Sequence, residues 1–255
     1  MYIRTPTEHD WQQFDALAAA EGWRVPASER EQFRTAWSNA AGVLVDDGRL
    51  AGLVTAVCHG QSGWIGNLIV PPALRGQGYG GRLFSWAMEK LKDQGVQSIW
   101  LTASESGRPI YEKAGFVSID QVERWVRRPA PLNSVSIPPF VKGPERLVEL
   151  DGKVWGEPRQ GLLQHLLSFG RAAVSNDTAA LLQSGDDLQV IGPWYSEDFC
   201  PRSNRIVLQQ LIAAADPAVE IVADLLGHVV IDLLREIAFV LVVEADLDRL
   251  FEALD

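Results

Sequence analysis

Residues Trp64–Phe116 read WIGNLIVPPALRGQGYGGRLFSWAMEKLKDQGVQSIWLTASESGRPIYEKAGF. An apolar strand, Ile65 to Val70, runs into Pro71 and Pro72, which end a ladder because they bring no N–H. The turn RGQGYG, Arg75 to Gly80, then opens a helix on which Leu83, Phe84, Ala87, Met88 and Leu91 recur at helical spacing, with Gly95 suited to the C′ position. A second apolar strand, Ser98 to Thr102, leads to a short helix, Arg108 to Ala114, that carries Tyr111 and stops at Gly115. A helix start exposes backbone N–H groups and the positive end of the helix dipole. Glycines there let the main chain approach an anion and permit positive φ. The segment therefore predicts a phosphate-bearing ligand at the turn, with Tyr111 beside it.

Working outward, Asp10 suits the N-cap of a helix from Trp11 to Ala20, and Ser28 that of a second helix through Trp37. Gly42 to Val45 and Leu50 to Cys58 read as a hairpin across Asp46-Asp47-Gly48, and a short turn at Gln61 to Gly63 leads into the strand before the glycines. Val117 to Arg127 is a last strand. An antiparallel meander joined to a strand–helix–strand crossover predicts an α/β layered fold, a mixed sheet flanked by helices. The segment Arg128 to Pro144 holds five prolines and little periodicity, which predicts a linker. The expected organisation is a first domain at 1–128, a linker at 129–146 and a second, smaller α/β unit at 147–255. In that unit Arg159 to Phe169, Asn204 to Ala215, His228 to Ile237 and Asp246 to Leu254 read as helices, and Leu188 to Trp194, Val219 to Leu225 and Phe239 to Glu244 as strands. The similar alternation suggests a diverged internal repeat.

The chain has 255 residues, 47% of them hydrophobic, and a formal net charge of −10. That balance argues against nucleic acid as a partner, because phosphate backbones call for a basic face. It suits a cationic acceptor such as an amine. No apolar run approaches the ~20 residues of a membrane span, and the N-terminus lacks a secretion signal's layout. Two cysteines, Cys58 and Cys200, are too few for a disulfide framework, so a cytoplasmic setting is expected. His9, His165, His228 and Cys200 do not cluster at metal-ligand spacing, and no metal site is expected.

Arg75, Gly78 and Gly80 fit the pattern [Q/R]-x-x-G-x-[G/A], with LIV-x-P before it and YEKAGF after it. With these motifs, residues Gly42 to Val126 resemble a GNAT-superfamily N-acyltransferase. A second α/β unit, together with Glu21-Gly22-Trp23, is similar to two-domain bacterial members whose second GNAT-like domain is degenerate. The resemblance implies that acetyl-CoA binds as co-substrate, its pyrophosphate on the main chain of Arg75, Gly76, Gln77, Gly78, Tyr79, Gly80 and Gly81. It implies that the preceding strand splays from its parallel neighbour, so that Leu68, Ile69 and Val70 hold the pantetheine arm and the thioester carbonyl. Ser104 stands where the family often has an asparagine on that arm. Tyr111 matches the family's tyrosine near the sulfur, a general acid for the departing thiolate.

The rival motif is the dinucleotide fingerprint, since Gly76, Gly78 and Gly81 also spell GxGxxG and Glu105 lies roughly 20 residues on. There the first glycine directly follows the strand, whereas here Pro71 to Arg75 intervene. A base is harder to place. Many family members use a glutamate on the strand before the turn, but here Trp64, Gly66 and Asn67 occupy it. Asn67 can hold a water that relays the proton; His59 and Glu105 are the other candidates. Cys58 reads as a strand residue, which disfavours an acyl-cysteine route, and Trp23 is a candidate wall of the acceptor pocket. In the second unit the counterpart of the turn, LQVIGPWYSEDFCPRS, sets Glu197 and Asp198 where phosphates would lie, so a single cofactor site is expected. That unit would wall the acceptor cleft, or stabilise the fold or a homodimer. The expected reaction is acetyl transfer to a small-molecule or protein amine by direct attack. The alternative is a non-catalytic acyl-CoA-binding module.

Overall fold

The computed structural model describes residues 1–129, 143–197, 200–226 and 238–246. The chain divides into two compact units, Met1–Asp120 with Val230–Leu241, and Gln121–Val229 with Val242–Asp255. The first holds β1 (Tyr2–Arg4), α1 (Glu8–Ala20), α2 (Ala27–Arg34), β2 (Ala41–Asp46), β3 (Arg49–Cys58), β4 (Ser62–Ile69), α3 (Tyr79–Asp93), β5 (Ser98–Ala103) and α4 (Arg108–Lys113). It ends within β6 (Val117–Arg127), which passes into the second unit after Asp120. The second holds α5 (Pro144–Trp155), α6 (Gln160–Phe169), β7 (Gly170–Ser175), β8 (Thr178–Gln183), β9 (Gln189–Ser196), α7 (Pro201–Ala214) and β10 (Ile221–Leu226). A final strand, β11 (Ala238–Asp246), sends residues 238–241 back alongside β5. This division differs from the expected boundaries, because most of β6 pairs with β10 from Val122↔Leu226 to Arg127↔Ile221.

The first unit's sheet runs β1-β2-β3-β4-β5-β11. Each of its first four strands is antiparallel to the next, and the pairs β4–β5 and β5–β11 are parallel. Helix α3 lays Leu83, Phe84, Ala87, Met88 and Leu91, all buried, on one face with Val54, Ala56, Ile65 and Leu101. Trp11, Phe14 and Phe33 from α1 and α2 cover Leu53, Val57 and Ile69 on the other. Two faces buried by helices explain why β3 reads as a continuous apolar run rather than an alternating one.

Three expectations about these helices are corrected. Asp10 is not the N-cap of α1 but its third residue: Thr7 caps, and the Asp10 carboxylate accepts from Thr7 N and Thr7 Oγ1, both at 2.6 Å, in a capping box. Ser28 does not cap α2, which starts at Ala27 after Pro26 in extended conformation. Trp37 lies beyond the end of α2 at Arg34, because Thr35 takes φ −114° and ψ −90° and breaks the helix. In the second unit α5 begins where a linker was expected: Pro144 is its first residue, where a missing N–H costs nothing. The hairpin β7–β8 went unread because alanines at 172, 173, 179 and 180 give little strand signal. The helices expected at His228 to Ile237 and Asp246 to Leu254 lie outside the described residues, apart from Asp246, which ends β11. The observed order α5-α6-β7-β8-β9-α7-β10 repeats α1-α2-β2-β3-β4-α3-β5 element for element.

The capping box carries a testable cost. Burial by itself would raise the Asp10 carboxyl, but bonds from Arg4 and Thr7 outweigh it and hold it below its ordinary value of 3.8. A depressed carboxylate stabilises above its unfolded value and loses that contribution as pH falls. Asp10→Ala should therefore lower the unfolding free energy by about 1–3 kcal/mol in urea at pH 7. The deficit should shrink as the pH falls below 4.

Candidate active site

The strand β4 stops being an ordinary strand at Asn67. On one side its register with β3 goes from Thr55↔Gly66 to Leu53↔Ile69, so three steps along β4 match two along β3. The extra residue makes a β-bulge. Asn67 sits in it with φ +52°, a left-handed conformation that asparagine tolerates better than other residues bearing a Cβ. On the other side the parallel ladder with β5 runs from Ser62↔Ser98 only to Ile65↔Leu101, although both strands continue. β4 thus parts from β5 just where Leu68, Ile69 and Val70 follow. Ile69 and Val70 have buried side chains, and Leu68 packs partly buried against the α3 core, which leaves main-chain groups as this stretch's means of holding a ligand.

Past Pro71 the chain makes a single 3₁₀ turn, Pro72–Leu74, and then the glycines. Gly76 and Gly78 have φ +77° and +84°, and a Cβ built on either, or on Gly81, meets nothing within 4 Å. Gly78 is the N-cap of α3, and no side chain caps that helix. The Arg82 N–H bonds Gly78 O at 3.2 Å, so the amides of Tyr79, Gly80 and Gly81 precede the helical ladder. Uncapped donors, a helix dipole and open space where a Cβ would stand fit a pyrophosphate. Three side chains of the turn are held by the protein. Arg75 Nε donates to Val70 O at 3.1 Å and its Nη2 to Glu21 Oε1 at 2.6 Å. Gln77 Nε2 donates to Ala73 O at 3.3 Å, and the Tyr79 hydroxyl to Asp46 Oδ2 at 2.5 Å, which raises the phenol's pKa. These side chains fasten the turn to its surroundings.

Helix α4 packs against the start of α3. A Cβ on Gly80 would lie 3.3 Å from Ile110 Cδ1, 3.8 Å from Val70 Cγ2 and 3.9 Å from Leu68 Cδ2, so the end of β4, the first turn of α3 and α4 meet at one point. Next to Ile110, the Tyr111 ring packs on Phe84 at 5.3 Å and Phe116 at 6.2 Å between centroids and is 6% exposed. A Cβ on Gly107 would lie 3.4 Å from both the Tyr111 hydroxyl and Ser104 Oγ, which puts those two groups around one glycine. Ser104 Oγ accepts from Gly107 N at 3.2 Å and lies 3.1 Å from Ser106 Oγ. The Tyr111 hydroxyl has no hydrogen bond among the described residues, and burial pushes its pKa up to about 12. It therefore keeps its proton throughout the neutral range.

His59 does not join this group. It lies in the β3–β4 turn, at the end of β4 remote from the bulge, with its ring 5.8 Å from Trp37. Glu105 stays in the exposed loop before α4. Trp23 packs partly buried beside Trp11, Phe33 and Ile69. What sequence reading missed is Glu29, on α2: its Oε1 accepts from Asn67 Nδ2 at 2.9 Å across 38 residues of chain. No local pattern flags that contact; the one available signal was an asparagine inside a strand, which marks a bulge. Among the described residues no cluster of His, Cys, Asp or Glu side chains could hold a metal, and no helix is long and apolar enough to cross a membrane.

The sequence pattern of the Acetyltransferase (GNAT) family matches residues 7–116, which contain the bulge, the glycine turn and Tyr111. That stretch is similar to the family's pattern over somewhat less than half of the chain. Among curated proteins it is similar to the [ribosomal protein bS18]-alanine N-acetyltransferase of Haemophilus influenzae, 28% identical over 89 residues, 34% of this chain. The match spans 61% of that relative's length. The fold is similar to that of a Pyrococcus horikoshii structure described as an acetyltransferase, with a TM-score of 0.70 at 22% identity over 87% of this chain and 78% of that one. A GCN5-related N-acetyltransferase from Sphaerobacter thermophilus aligns with a TM-score of 0.57 at 18% identity, over 89% and 87% of the two chains. Both cover more of this chain than its first unit alone contains.

The Tyr111 phenol gives an alkaline signature. Its folded pKa lies above the ordinary 10.0, so the folded state keeps a proton that the unfolded chain loses. Its contribution to stability is whole below pH 10 and declines as pH rises towards 12, by at most about 3 kcal/mol. Tyr195 shifts in the same direction and adds to the decline. In urea denaturation at pH 8 and pH 11, Tyr111→Phe should lose part of the alkaline decline. At pH 8 it should cost under about 1 kcal/mol, since no hydrogen bond is removed.

Proposed function

We propose that this chain transfers an acetyl group from acetyl-CoA to an amine, the amine attacking the thioester directly. The observation that carries the reading is the uncapped start of α3 at Gly78, opening beside a buried Tyr111 with an unengaged hydroxyl. Bound there, acetyl-CoA supplies the activated acyl group. The amides of Gly78 to Gly81 hold its pyrophosphate, helped by the helix dipole. The main chain of Leu68 to Val70, freed from β5, holds the arm and directs an amide at the thioester oxygen, where negative charge develops. Ser104 lies beside the Tyr111 hydroxyl and lines the arm's far end. Tyr111 holds its proton against the sulfur and gives it to the leaving thiolate.

Direct attack is favoured over an acyl-cysteine route because Cys58 is at the hairpin end of β3, with its Sγ bonded to Gly60 O at 3.5 Å. The acceptor class is a small-molecule or protein amine; the Haemophilus relative's name specifies a ribosomal-protein alanine. Free thiols at Cys58 and Cys200 accord with a reducing cytoplasm. We read the second unit as a degenerate copy with no cofactor turn. Its α7 begins with Pro201, which lacks an amide, and Cys200 before it has φ −60° rather than a left-handed angle. Glu197, at the end of the equivalent strand's turn, is held by Arg146 Nη2 at 2.7 Å and by Lys153.

Calorimetry with acetyl-CoA tests the cradle. Gly78→Ala sets a methyl where phosphate approaches and strains a φ of +84°, and should weaken binding about tenfold or more with the far-ultraviolet spectrum unchanged. Unaltered affinity removes the pyrophosphate from this turn. Tyr111→Phe should keep the affinity and lower amine-dependent CoA release about 10²-fold. CoA binding with no turnover of any amine by the unaltered chain would instead establish a non-catalytic acyl-CoA-binding module.

A further inference from the structure

We propose that Glu29 is the general base for the acceptor amine and that Asn67 is the residue that positions it. The inference rests on the acetyltransferase reading above and supplies the group that reading lacks. An amine reaches the site mostly as an ammonium ion, since its pKa lies near 8 for an α-amino group and near 10.4 for a lysine. A proton must leave it before nitrogen can attack.

Glu29 is suited to that task by place. Its carboxylate is hydrogen-bonded to the residue at the centre of the β4 bulge, and Leu68, whose main chain faces the thioester carbonyl in the proposed reading, is the next residue along. The carboxylate is thus held one residue from the main chain that, in that reading, meets the thioester carbonyl. Its position is enforced twice. Asn67 holds it from the strand, and the loop leading into α2 is tied to the glycine turn by the Glu21–Arg75 ion pair at 2.6 Å. An anionic Glu29 also attracts the ammonium form, in keeping with a chain of net charge −10.

The protons balance. The ammonium ion gives one to the Glu29 carboxylate, and the freed lone pair forms the N–C bond. When the C–S bond breaks, its electron pair goes to sulfur, which takes the Tyr111 proton. The nitrogen sheds its second proton as the amide forms, and this proton restores the phenol. The proton on Glu29 passes to solvent, so each turnover yields an amide, a thiol and one proton.

The test compares nucleophiles that need a base with one that does not. CoA release by the full chain at pH 7 is measured with glycinamide, spermidine and an alanine-terminated peptide, all ammonium ions, and with hydroxylamine, which is already neutral. Glu29→Gln keeps the shape and the acceptor oxygen for Asn67 but removes the basicity. It should lower kcat/KM for the ammonium acceptors about 10²–10⁴-fold, hydroxylamine transfer less than about tenfold, and leave acetyl-CoA affinity by calorimetry within about twofold. Asn67→Gly, which keeps the left-handed backbone and deletes the amide, should shift the same ratio in the same direction by a smaller factor. Equal losses for both kinds of nucleophile, or no loss, would overturn the base assignment while leaving acetyl transfer intact. If the unaltered chain binds acetyl-CoA and releases CoA to none of the four, acetyl transfer itself fails, and Glu29 as its base fails with it.

Discussion

A strand that stops pairing before it ends is the constraint from which the rest of the first unit follows. β4 is bonded to β5 as far as Ile65↔Leu101, then bulges at Asn67 against β3. An unpaired backbone group in a protein interior is costly, so a structure keeps such a stretch only where something else satisfies it. The bulge turns one β4 residue left-handed, and the chain then reaches Pro71 and Pro72, which cannot resume a ladder. Leu68 to Val70 are thereby unpaired from β5 at the point where the glycine turn begins. Packing from α3 holds the whole corner rigid: Leu83 and Phe84 are buried beneath it, and Phe84 also fixes the Tyr111 ring.

The helices α1 and α2 complete the corner from the opposite side. They share a core with the far face of the sheet through Trp11, Phe14 and Phe33. Two polar links then tie them to the reactive edge, Glu29 to Asn67 and Glu21 to Arg75. Arginine in this turn invites assignment to a phosphate because of its charge. Here its Nε and Nη2 bond Val70 O and the Glu21 carboxylate, and it serves as a latch. A helix start needs no side chain to attract an anion, so the proposed phosphate contact can rest on the amides.

The second unit keeps the order of elements with different residues at the start of its long helix. Both units carry a register shift in the strand before the turn, but where the first then has a glycine turn and an uncapped helix start, the second has Pro201 at the first position of α7 and Glu197 engaged by Arg146 and Lys153. Between α5, α6 and β9 lies a buried network instead of an opening. Arg159 Nε donates to Asp151 Oδ2 at 3.2 Å and its Nη2 to the Tyr195 hydroxyl at 2.9 Å, Tyr195 donates to Asp151 Oδ1 at 2.6 Å, and the guanidinium stacks 4.0 Å over Trp155. Asp151 is 0% and Arg159 8% exposed, so the charges are buried as a satisfied pair, and removing either partner would strand the other.

Much of this was written locally. The glycine turn, the apolar stripe of α3, the end of α4 at Gly115 and β6 from Val117 to Arg127 were legible, because glycine conformation, helical period and strand composition are properties of neighbouring residues. So was Tyr111, through its place in a motif. α5 and the β7–β8 hairpin were not, because a proline that begins a helix resembles one that ends a linker, and alanines declare no strand. The bulge at Asn67, the engagement of Arg75 by Glu21 across 54 residues and the arrival of Glu29 at the strand were decided only by the tertiary structure. Each depends on how closely helices α1 and α2 lie over the sheet, and that is set by side chains packing across the whole core rather than by any run of residues along the chain.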